Sequence, residues 1–129
     1  MIEYRIDHVG LNVTDLEESI RFYERLFGFS VIEKWEDPRQ AFVGQDSLVL
    51  GLMEYPEYDY SAYTKAHIAF PCKPELFDEV VAAIESLGVE ILSGPKQQRG
   101  GETILFRDPS GNILEVCYPP LTNTDRGET

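Results

Sequence analysis

The chain has 129 residues, 43% of them hydrophobic, which is enough for one compact domain or for two small modules that share a core. Against 23 aspartates and glutamates it has 11 lysines and arginines, a formal net charge of −12, so neither nucleic acid nor an anionic membrane is an expected partner. Its apolar runs fall short of the roughly 20 residues that span a bilayer, and its first residues lack the pattern of an export signal. We therefore expect a cytoplasmic protein without a disulfide framework, since Cys72 and Cys117 are its only cysteines.

The first half of the chain predicts the element order β-α-β-β-β. A strand around His8 leads to Thr14 and Glu17, which have capping-box spacing, and then to apolar residues at helical intervals. Gly28 stands where a helix C-cap is expected. The predicted helix face is Leu16, Ile20, Tyr23 and Phe27, and the predicted strands are Phe29 to Trp35, Gln40 to Val43 and Leu48 to Met53.

The second half predicts the same order again. A strand at Ala66 to Phe70 precedes Pro74, which should open a helix that Gly88 closes. Asp108 to Gly111 is a strong turn signal before the last strand. The predicted helix face is Phe77, Val80, Val81, Ile84 and Leu87, and the predicted strands are Val89 to Leu92, Thr103 to Phe106 and Asn112 to Tyr118.

The repeat indicates two copies of one supersecondary unit, neither of which can bury its sheet face alone. We expect a single domain over 1–129, with module 1 at about 5–56, a linker at 57–64, module 2 at about 65–119 and a polar tail at 120–129. The tyrosines of the segment Tyr55 to Tyr63 suggest a loop that packs against other parts of the molecule rather than an extended flexible linker.

Both histidines of the chain occupy matching strands of the two halves, in "IDHVGLNV" and "KAHIAFPC". Core packing would sooner use Val or Leu at such positions, so the correspondence of His8 and His67 favours metal ligation, with the two brought together when the halves pair. Glu115 stands alone in the apolar run of the last strand, where an unpaired buried carboxylate is costly. Two imidazoles and one carboxylate would leave coordination positions open for water or substrate, as in catalytic sites.

Three stretches occur in this order along the chain: "IDHVGLNVTDLEESIRFYERLFGFSVIEKW", "KAHIAF" and "ILFRDPSGNILEV". They resemble the vicinal oxygen chelate superfamily of glyoxalase I, bleomycin-resistance proteins, fosfomycin-modifying thiol transferases and extradiol dioxygenases. The resemblance implies an α+β fold in which two paired βαβββ modules form an open, cup-shaped mixed sheet with helices outside. It implies one divalent ion per site (Zn, Ni, Mn, Co or Fe(II)), held by His8, His67 and Glu115. It also implies a homodimer, an assembly in which two chains can share each site.

The function that this resemblance implies is Lewis-acid chemistry on a small substrate with vicinal oxygens, with a lyase or isomerase reaction as the first expectation. Glyoxalase I would need a second carboxylate in module 1, where our alignment puts Leu50. The fosfomycin transferases match the ligand set, but they carry a threonine two residues after the first histidine, where this chain has Gly10. A basic cluster for the phosphonate could come from Lys34, Lys96, Arg99 and Arg107.

Two further alternatives stay open. Extradiol cleavage uses the same ligand set with Fe(II), although this chain has no third histidine. A metal-free protein that sequesters a drug would need aromatic walls, which Trp35, Tyr55, Tyr58, Tyr60 and Tyr63 could supply. No residue is assigned as the catalytic base; Glu54, Tyr63 and Glu102 are the conceivable ones.

Overall fold

The computed structural model describes residues 2–60 and 64–121. Within these two ranges the order β-α-β-β-β occurs twice, as the sequence predicted. The elements of the first half are β1 (Val9–Val13), α1 (Leu16–Phe27), β2 (Ser30–Glu36), β3 (Arg39–Gln45) and β4 (Leu48–Glu54). Those of the second half are β5 (Ile68–Pro71), α2 (Phe77–Ser86), β6 (Ile91–Gln98), β7 (Gly101–Arg107) and β8 (Ile113–Tyr118).

Each half forms its own four-stranded mixed sheet. The strand order is β1-β4-β3-β2 in the first sheet and β5-β8-β7-β6 in the second. In each sheet the first strand runs parallel to the last strand of its half, and the other pairs are antiparallel. The expected α+β fold of paired βαβββ modules is thereby confirmed, and the topology places each histidine segment next to the last strand of its own sheet.

Helix α1 is capped one residue later than the sequence predicted. The side chain of Asp15, not Thr14, accepts a hydrogen bond from the Glu18 backbone N–H at 3.0 Å. The hydroxyl of Thr14 is engaged elsewhere, since it lies 3.2 Å from Ser110 Oγ of the second half, to which the Thr14 backbone N–H also donates at 2.8 Å. The C-cap prediction is confirmed: Gly28 has φ 70°, a left-handed conformation that glycine adopts without steric cost.

The elements of the second half differ from their predicted bounds. Strand β5 begins at Ile68 rather than Ala66, so His67 immediately precedes it, and β7 begins at Gly101 rather than Thr103. Pro74 opens a short 3-10 turn, Pro74–Leu76, and α2 begins only at Phe77. Strand β6 begins at Ile91 rather than Val89 and continues through a polar run to Gln98. That run pairs with β7 through its backbone across two register shifts, which apolar alternation could not reveal.

The apolar faces of the two helices belong to one core that joins both halves. Tyr23 of α1 is fully buried, and Phe27 and Phe29 contact Phe70 of β5, with a ring-centroid distance of 4.4 Å for Phe27 and Phe70. The core occupies the helix side of each sheet, and no helix of the described residues lies on the opposite side. We call that opposite side the cup face. Neither helix of the described chain is long and apolar enough to cross a membrane.

A buried polar contact links α1 to the turn before β8. Tyr23 Oη donates to Asp108 Oδ2 at 2.8 Å, and Asp108 Oδ1 accepts the backbone N–H groups of Ser110 and Asn112, each at 2.9 Å. Asp108 is almost fully buried, and this burial raises the pKa of its carboxyl group. The turn predicted from the sequence therefore also fastens one half of the molecule to the other.

Replacing Tyr23 by Phe should lower the free energy of unfolding by about 1–3 kcal/mol, because a buried carboxylate oxygen loses a donor. The pKa of Asp108 is raised in the folded state, so ionising this group costs stability as the pH rises through that pKa. The ionised carboxylate of Asp108 depends most on the Tyr23 hydroxyl. The stability lost in Tyr23→Phe should therefore shrink as the pH falls toward 3.8, the ordinary pKa of an Asp side chain. Urea unfolding followed by circular dichroism at pH 7 and pH 4 measures both effects.

Tyr118→Phe is the matched control for this prediction. It removes a hydroxyl that donates to Glu102 Oε1 at 2.6 Å at the partly exposed end of β8. This variant should lose less stability than Tyr23→Phe, since water can replace the missing donor. An equal or larger loss of unfolding free energy in Tyr118→Phe would contradict the prediction that the buried Tyr23–Asp108 hydrogen bond contributes more to stability.

Candidate metal centre

Glu115 lies on the cup face of the second sheet, on β8 between β5 and β7. Its side chain is only 7% exposed, and both carboxylate oxygens have partners. Oε1 lies 3.0 Å from His67 Nε2, and Oε2 accepts a short hydrogen bond from the hydroxyl of the fully buried Thr103. The structure thus brings together two of the three predicted ligands, Glu115 and His67.

The hydrogen bond of His67 Nδ1 leaves Nε2 as the ring nitrogen that faces Glu115. Nδ1 lies 2.7 Å from the Lys65 carbonyl oxygen, which can only accept, so Nδ1 carries a proton. The other ring nitrogen, Nε2, lies against a carboxylate oxygen of Glu115. A separation of 3.0 Å fits two ligands that bind one ion at about 2.1 Å and a right angle, so the pair suits a divalent metal.

His8 is oriented in the same way on the cup face of the first sheet. Its Nδ1 lies 2.8 Å from Asp7 Oδ2, and this hydrogen bond is the main reason why the pKa of Asp7 is lowered. The imidazole packs edge-on against Phe42, with a ring-centroid distance of 5.0 Å. Metal-binding histidines characteristically donate their second ring N–H to a carboxylate or carbonyl oxygen, as both histidines do here.

The structure does not bring His8 to the other two residues within one chain. Across residues 2–60 and 64–121, no group of three or more His, Cys, Asp and Glu side chains has an arrangement that could hold a metal. The expectation that pairing of the two halves unites both histidines is therefore not met inside a single chain. The shared core lies on the helix sides of the two sheets, which leaves the cup faces of His8 and Glu115 apart.

The strand register shows that the residue of the first sheet equivalent to Glu115 is not the one that the sequence alignment gave. Gly10 pairs with Gly51 on β4, and the equivalent residue Ala69 pairs with Glu115 on β8. Gly51, and not Leu50, thus occupies the position at which glyoxalase I would need its second carboxylate. The spacing of the two histidines alone would place Pro56 opposite Glu115, so only the strand pairing identifies Gly51.

The candidate bases are engaged outside the His67–Glu115 pair. Glu54 Oε2 accepts the backbone N–H of Leu16 at the start of α1, and its Oε1 accepts from Arg39 Nε. Glu102 accepts the hydroxyl proton of Tyr118, which raises the pKa of that phenol to about 12. Tyr63 lies outside the described residues.

One of the four candidate cations lies beside the pair. Lys96 lines a cavity of about 520 Å³ together with His67, Glu115 and Lys65. Lys65 was missed by sequence reasoning, although its position two residues before His67 is a usable signal. Of the other three candidates, Lys34 pairs with Glu17 and Arg99 donates to the Pro119 carbonyl oxygen. Arg107 donates to the Gly111 carbonyl oxygen and lines a second cavity, of about 500 Å³, together with His67.

The chain is similar over most of its length to several known proteins. The profile of the "Glyoxalase/Bleomycin resistance protein/Dioxygenase superfamily" matches residues 5–116. A virulence protein of Salmonella typhimurium is 33% identical over 123 residues, which cover 90% of this chain and 85% of that protein. The metallothiol transferase FosB of Lysinibacillus sphaericus is 34% identical over 114 residues, which cover 85% of this chain and 79% of that enzyme.

The fold is also close to that of solved fosfomycin resistance proteins. FosX of Listeria monocytogenes, in complex with Mn(II) and 1S,2S-dihydroxypropylphosphonic acid, superposes with a TM-score of 0.82 at 26% identity. The superposition covers 93% of this chain and 94% of the FosX chain. On the extent of the sequence match and of this superposition, the chain belongs to the glyoxalase, bleomycin-resistance protein and dioxygenase superfamily.

Proposed function

We propose that this protein is a divalent-metal-dependent enzyme of the fosfomycin-modifying type, which adds a thiol or water to an electrophilic carbon of a small anionic substrate. The observation that carries the proposal is the pairing of the buried Glu115 carboxylate with His67, whose Nε2 lies 3.0 Å from Oε1 while its Nδ1 is already bonded to the Lys65 carbonyl oxygen. Similar proteins are a metallothiol transferase, a glutathione transferase and FosX proteins, which favour a transferase or hydrolase reaction. These two reaction types replace the lyase reaction, which was the first expectation from the family resemblance.

The proposed ligands are His67 and Glu115 of one chain with His8 of a second copy. Each histidine already donates Nδ1–H to an oxygen, so each offers Nε2 to a metal without rearrangement. Both cup faces lie open in the single chain, which leaves room for a second copy to bring the two half-sites together. A homodimer with two shared centres is the assembly that completes the ligand set.

The ion, when bound, would polarise an oxygen of the substrate and stabilise the negative charge that develops on it. Lys65 and Lys96 line the cavity beside Glu115, so they would attract and hold an anionic substrate group. With fosfomycin, an epoxypropylphosphonate, the sulfur of a thiol or the oxygen of water bonds to an epoxide carbon as its C–O bond breaks. The proton of the nucleophile ends on the released oxygen, so the reaction is a net addition.

Gly10 limits which residues can assist this addition. The fosfomycin transferases that this chain resembles carry a threonine two residues after the first histidine, and Gly10 offers no hydroxyl there. The proton for the opened oxygen would therefore come from the added thiol or water rather than through a side chain at this position. This difference favours testing water alongside thiols as the nucleophile.

The proposal is tested by metal content and by fosfomycin turnover on the same purified protein. We expect about one divalent ion per chain by inductively coupled plasma mass spectrometry after incubation with Mn(II) and removal of unbound metal. ³¹P NMR should then show fosfomycin converted to a thiol adduct with glutathione or cysteine, or to the diol with water alone. Glu115→Ala should lose both the metal and the turnover.

Glu102→Ala is the matched control, since it removes a carboxylate from the neighbouring strand that is not near His67 in the structure. It should keep the metal and the turnover. Bound metal without any fosfomycin product would keep the metal centre and reject this substrate type. No bound metal with Mn(II), Ni(II), Zn(II) or anaerobic Fe(II) would contradict the metalloenzyme and favour a protein that sequesters its ligand.

A further inference from the structure

An apolar cavity of about 160 Å³ opens on the cup face of the first sheet, directly beside His8. Gly10 of β1 and Gly51 of β4 are register partners and form its floor. Phe42 and Met53 stand at its sides. We call it the glycine-floored pocket; the remaining lining residues are Gln40, Ala41 and Leu52.

The space exists because both floor residues lack a Cβ. A Cβ on Gly51 would come within 2.9 Å of the Phe42 ring, and a Cβ on Gly10 would come within 2.8 Å of Met53 Cε. Contacts that short do not occur without movement, so a larger residue at either position would displace a wall or fill the cavity. Phe42 is itself held between the His8 ring and Trp35, with centroid distances of 5.0 and 5.5 Å.

The lining of the pocket contrasts with that of the other half-site. Among residues 2–60 and 64–121, no ionisable side chain other than the imidazole of His8 lines the glycine-floored pocket, whereas Lys65 and Lys96 line the cavity at His67 and Glu115. An ionised group would lose its hydration in the first environment without gaining a partner. The pocket therefore favours an uncharged apolar group, and the second cavity favours an anionic or polar one.

We propose that the glycine-floored pocket binds an uncharged apolar substituent of the substrate, up to the size of a phenyl ring, next to its metal-binding oxygens. An engineered cavity of about 150 Å³ holds benzene, so a pocket of this size has room for a ring. A methyl group would leave most of it empty. The proposal rests on the proposed function, because it takes His8 as a ligand of the ion that holds the substrate oxygens.

The test compares two hydroxamates that offer a metal the same pair of vicinal oxygens. Acetohydroxamate carries a methyl group and benzohydroxamate a phenyl group, so their affinities differ mainly by what the apolar group contacts. Metal content is measured first on the full-length protein loaded with Mn(II), and binding is then measured by isothermal titration calorimetry. We expect benzohydroxamate to bind at least about tenfold more tightly, from the extra apolar surface that it buries.

Two variants and one control test whether the difference in affinity between the two hydroxamates arises in the pocket. Gly10→Ala narrows the floor and Met53→Ala removes a wall, so each should weaken benzohydroxamate binding about fivefold or more while changing acetohydroxamate binding less than about twofold. Leu48→Ala removes a side chain of similar exposure from the same strand as Met53 but outside the pocket. It should leave both affinities unchanged.

The outcomes separate this inference from the proposed function. Full metal content with equal affinities for the two hydroxamates would overturn the inference and leave the metal centre standing. A preference for benzohydroxamate that neither Gly10→Ala nor Met53→Ala reduces would also overturn it, because the ring would then bind elsewhere. Absence of bound metal would overturn both, and the metal measurement detects that case before any hydroxamate is added.

Discussion

Combining His8→Ala and His67→Ala chains should restore metal binding that neither variant has alone. Each variant by itself lacks one ligand at every centre. In a mixed dimer, the intact His8 of one chain can meet the intact His67 and Glu115 of the other and complete one centre. The expectation follows from the structure, in which His67 and Glu115 are 3.0 Å apart while His8 lies on the other sheet.

The expected recovery can be estimated from random pairing. Half of the dimers formed from equal amounts of the two chains are mixed, and each mixed dimer has one complete centre out of two, so about a quarter of the wild-type metal content should return. Co-expression of the two chains with different affinity tags allows the mixed dimer to be purified, and it should bind about one ion per dimer. Mass spectrometry of metal content and ³¹P NMR of fosfomycin provide the readouts.

A second combination provides the control. His67→Ala and Glu115→Ala damage the same half-site, so each mixed dimer lacks one of these ligands at each centre and should recover nothing. Equal recovery in both combinations would contradict a shared centre. No recovery in the first combination, with a mixed dimer present, would place all the ligands of any metal centre in one chain.

Replacing Thr103 by Val should weaken metal binding by about 10- to 100-fold, the usual range for loss of a group that supports a ligand. The Thr103 hydroxyl donates to Glu115 Oε2, and His67 faces Oε1, so the hydroxyl fixes which oxygen of the carboxylate is presented to the ion. Valine has nearly the same shape but no donor. The carboxylate would then be free to rotate, and one buried oxygen would lack a partner.

Thr103→Ser keeps the hydroxyl and should restore most of the affinity, which a role in packing alone would not predict. Titration of Mn(II), followed by the electron paramagnetic resonance signal of the free ion, measures the dissociation constant. Urea unfolding of the metal-free variants separates affinity from stability. Equal affinities of wild-type, Thr103→Val and Thr103→Ser protein would contradict the positioning role.

The periodic part of the fold was readable from the sequence. Leu16, Ile20 and Tyr23 recur at helical spacing because one face of α1 is buried, and Gly28 marks its end because the left-handed cap conformation suits glycine. Contacts between residues far apart in the sequence decided the details in which the structure differs from the prediction. The hydroxyl of Thr14 lies 3.2 Å from Ser110 Oγ, 96 residues away, instead of capping α1, and no local pattern records such a partner.

The candidate ligands came from the sequence, but their grouping came from the structure. The matching positions of His8 and His67 and the lone acidic residue in an apolar strand singled out chemical groups that a core would not otherwise use. The orientation of both Nδ1–H groups, the hydrogen bond from Thr103 and the true counterpart of Glu115 at Gly51 all depend on strand register. Register is set by pairing between distant segments.

The sequence by itself determined the repeated βαβββ order, the family and the residue types of the proposed metal site, because these follow from local periodicity and from motifs within single strands. Only the tertiary structure decided that one chain unites His67 with Glu115 and leaves His8 apart. The physical reason lies in the core: the helices bury the apolar sides of both sheets, and the cup faces remain open. Which strand face meets which partner is a property of packing across the whole molecule.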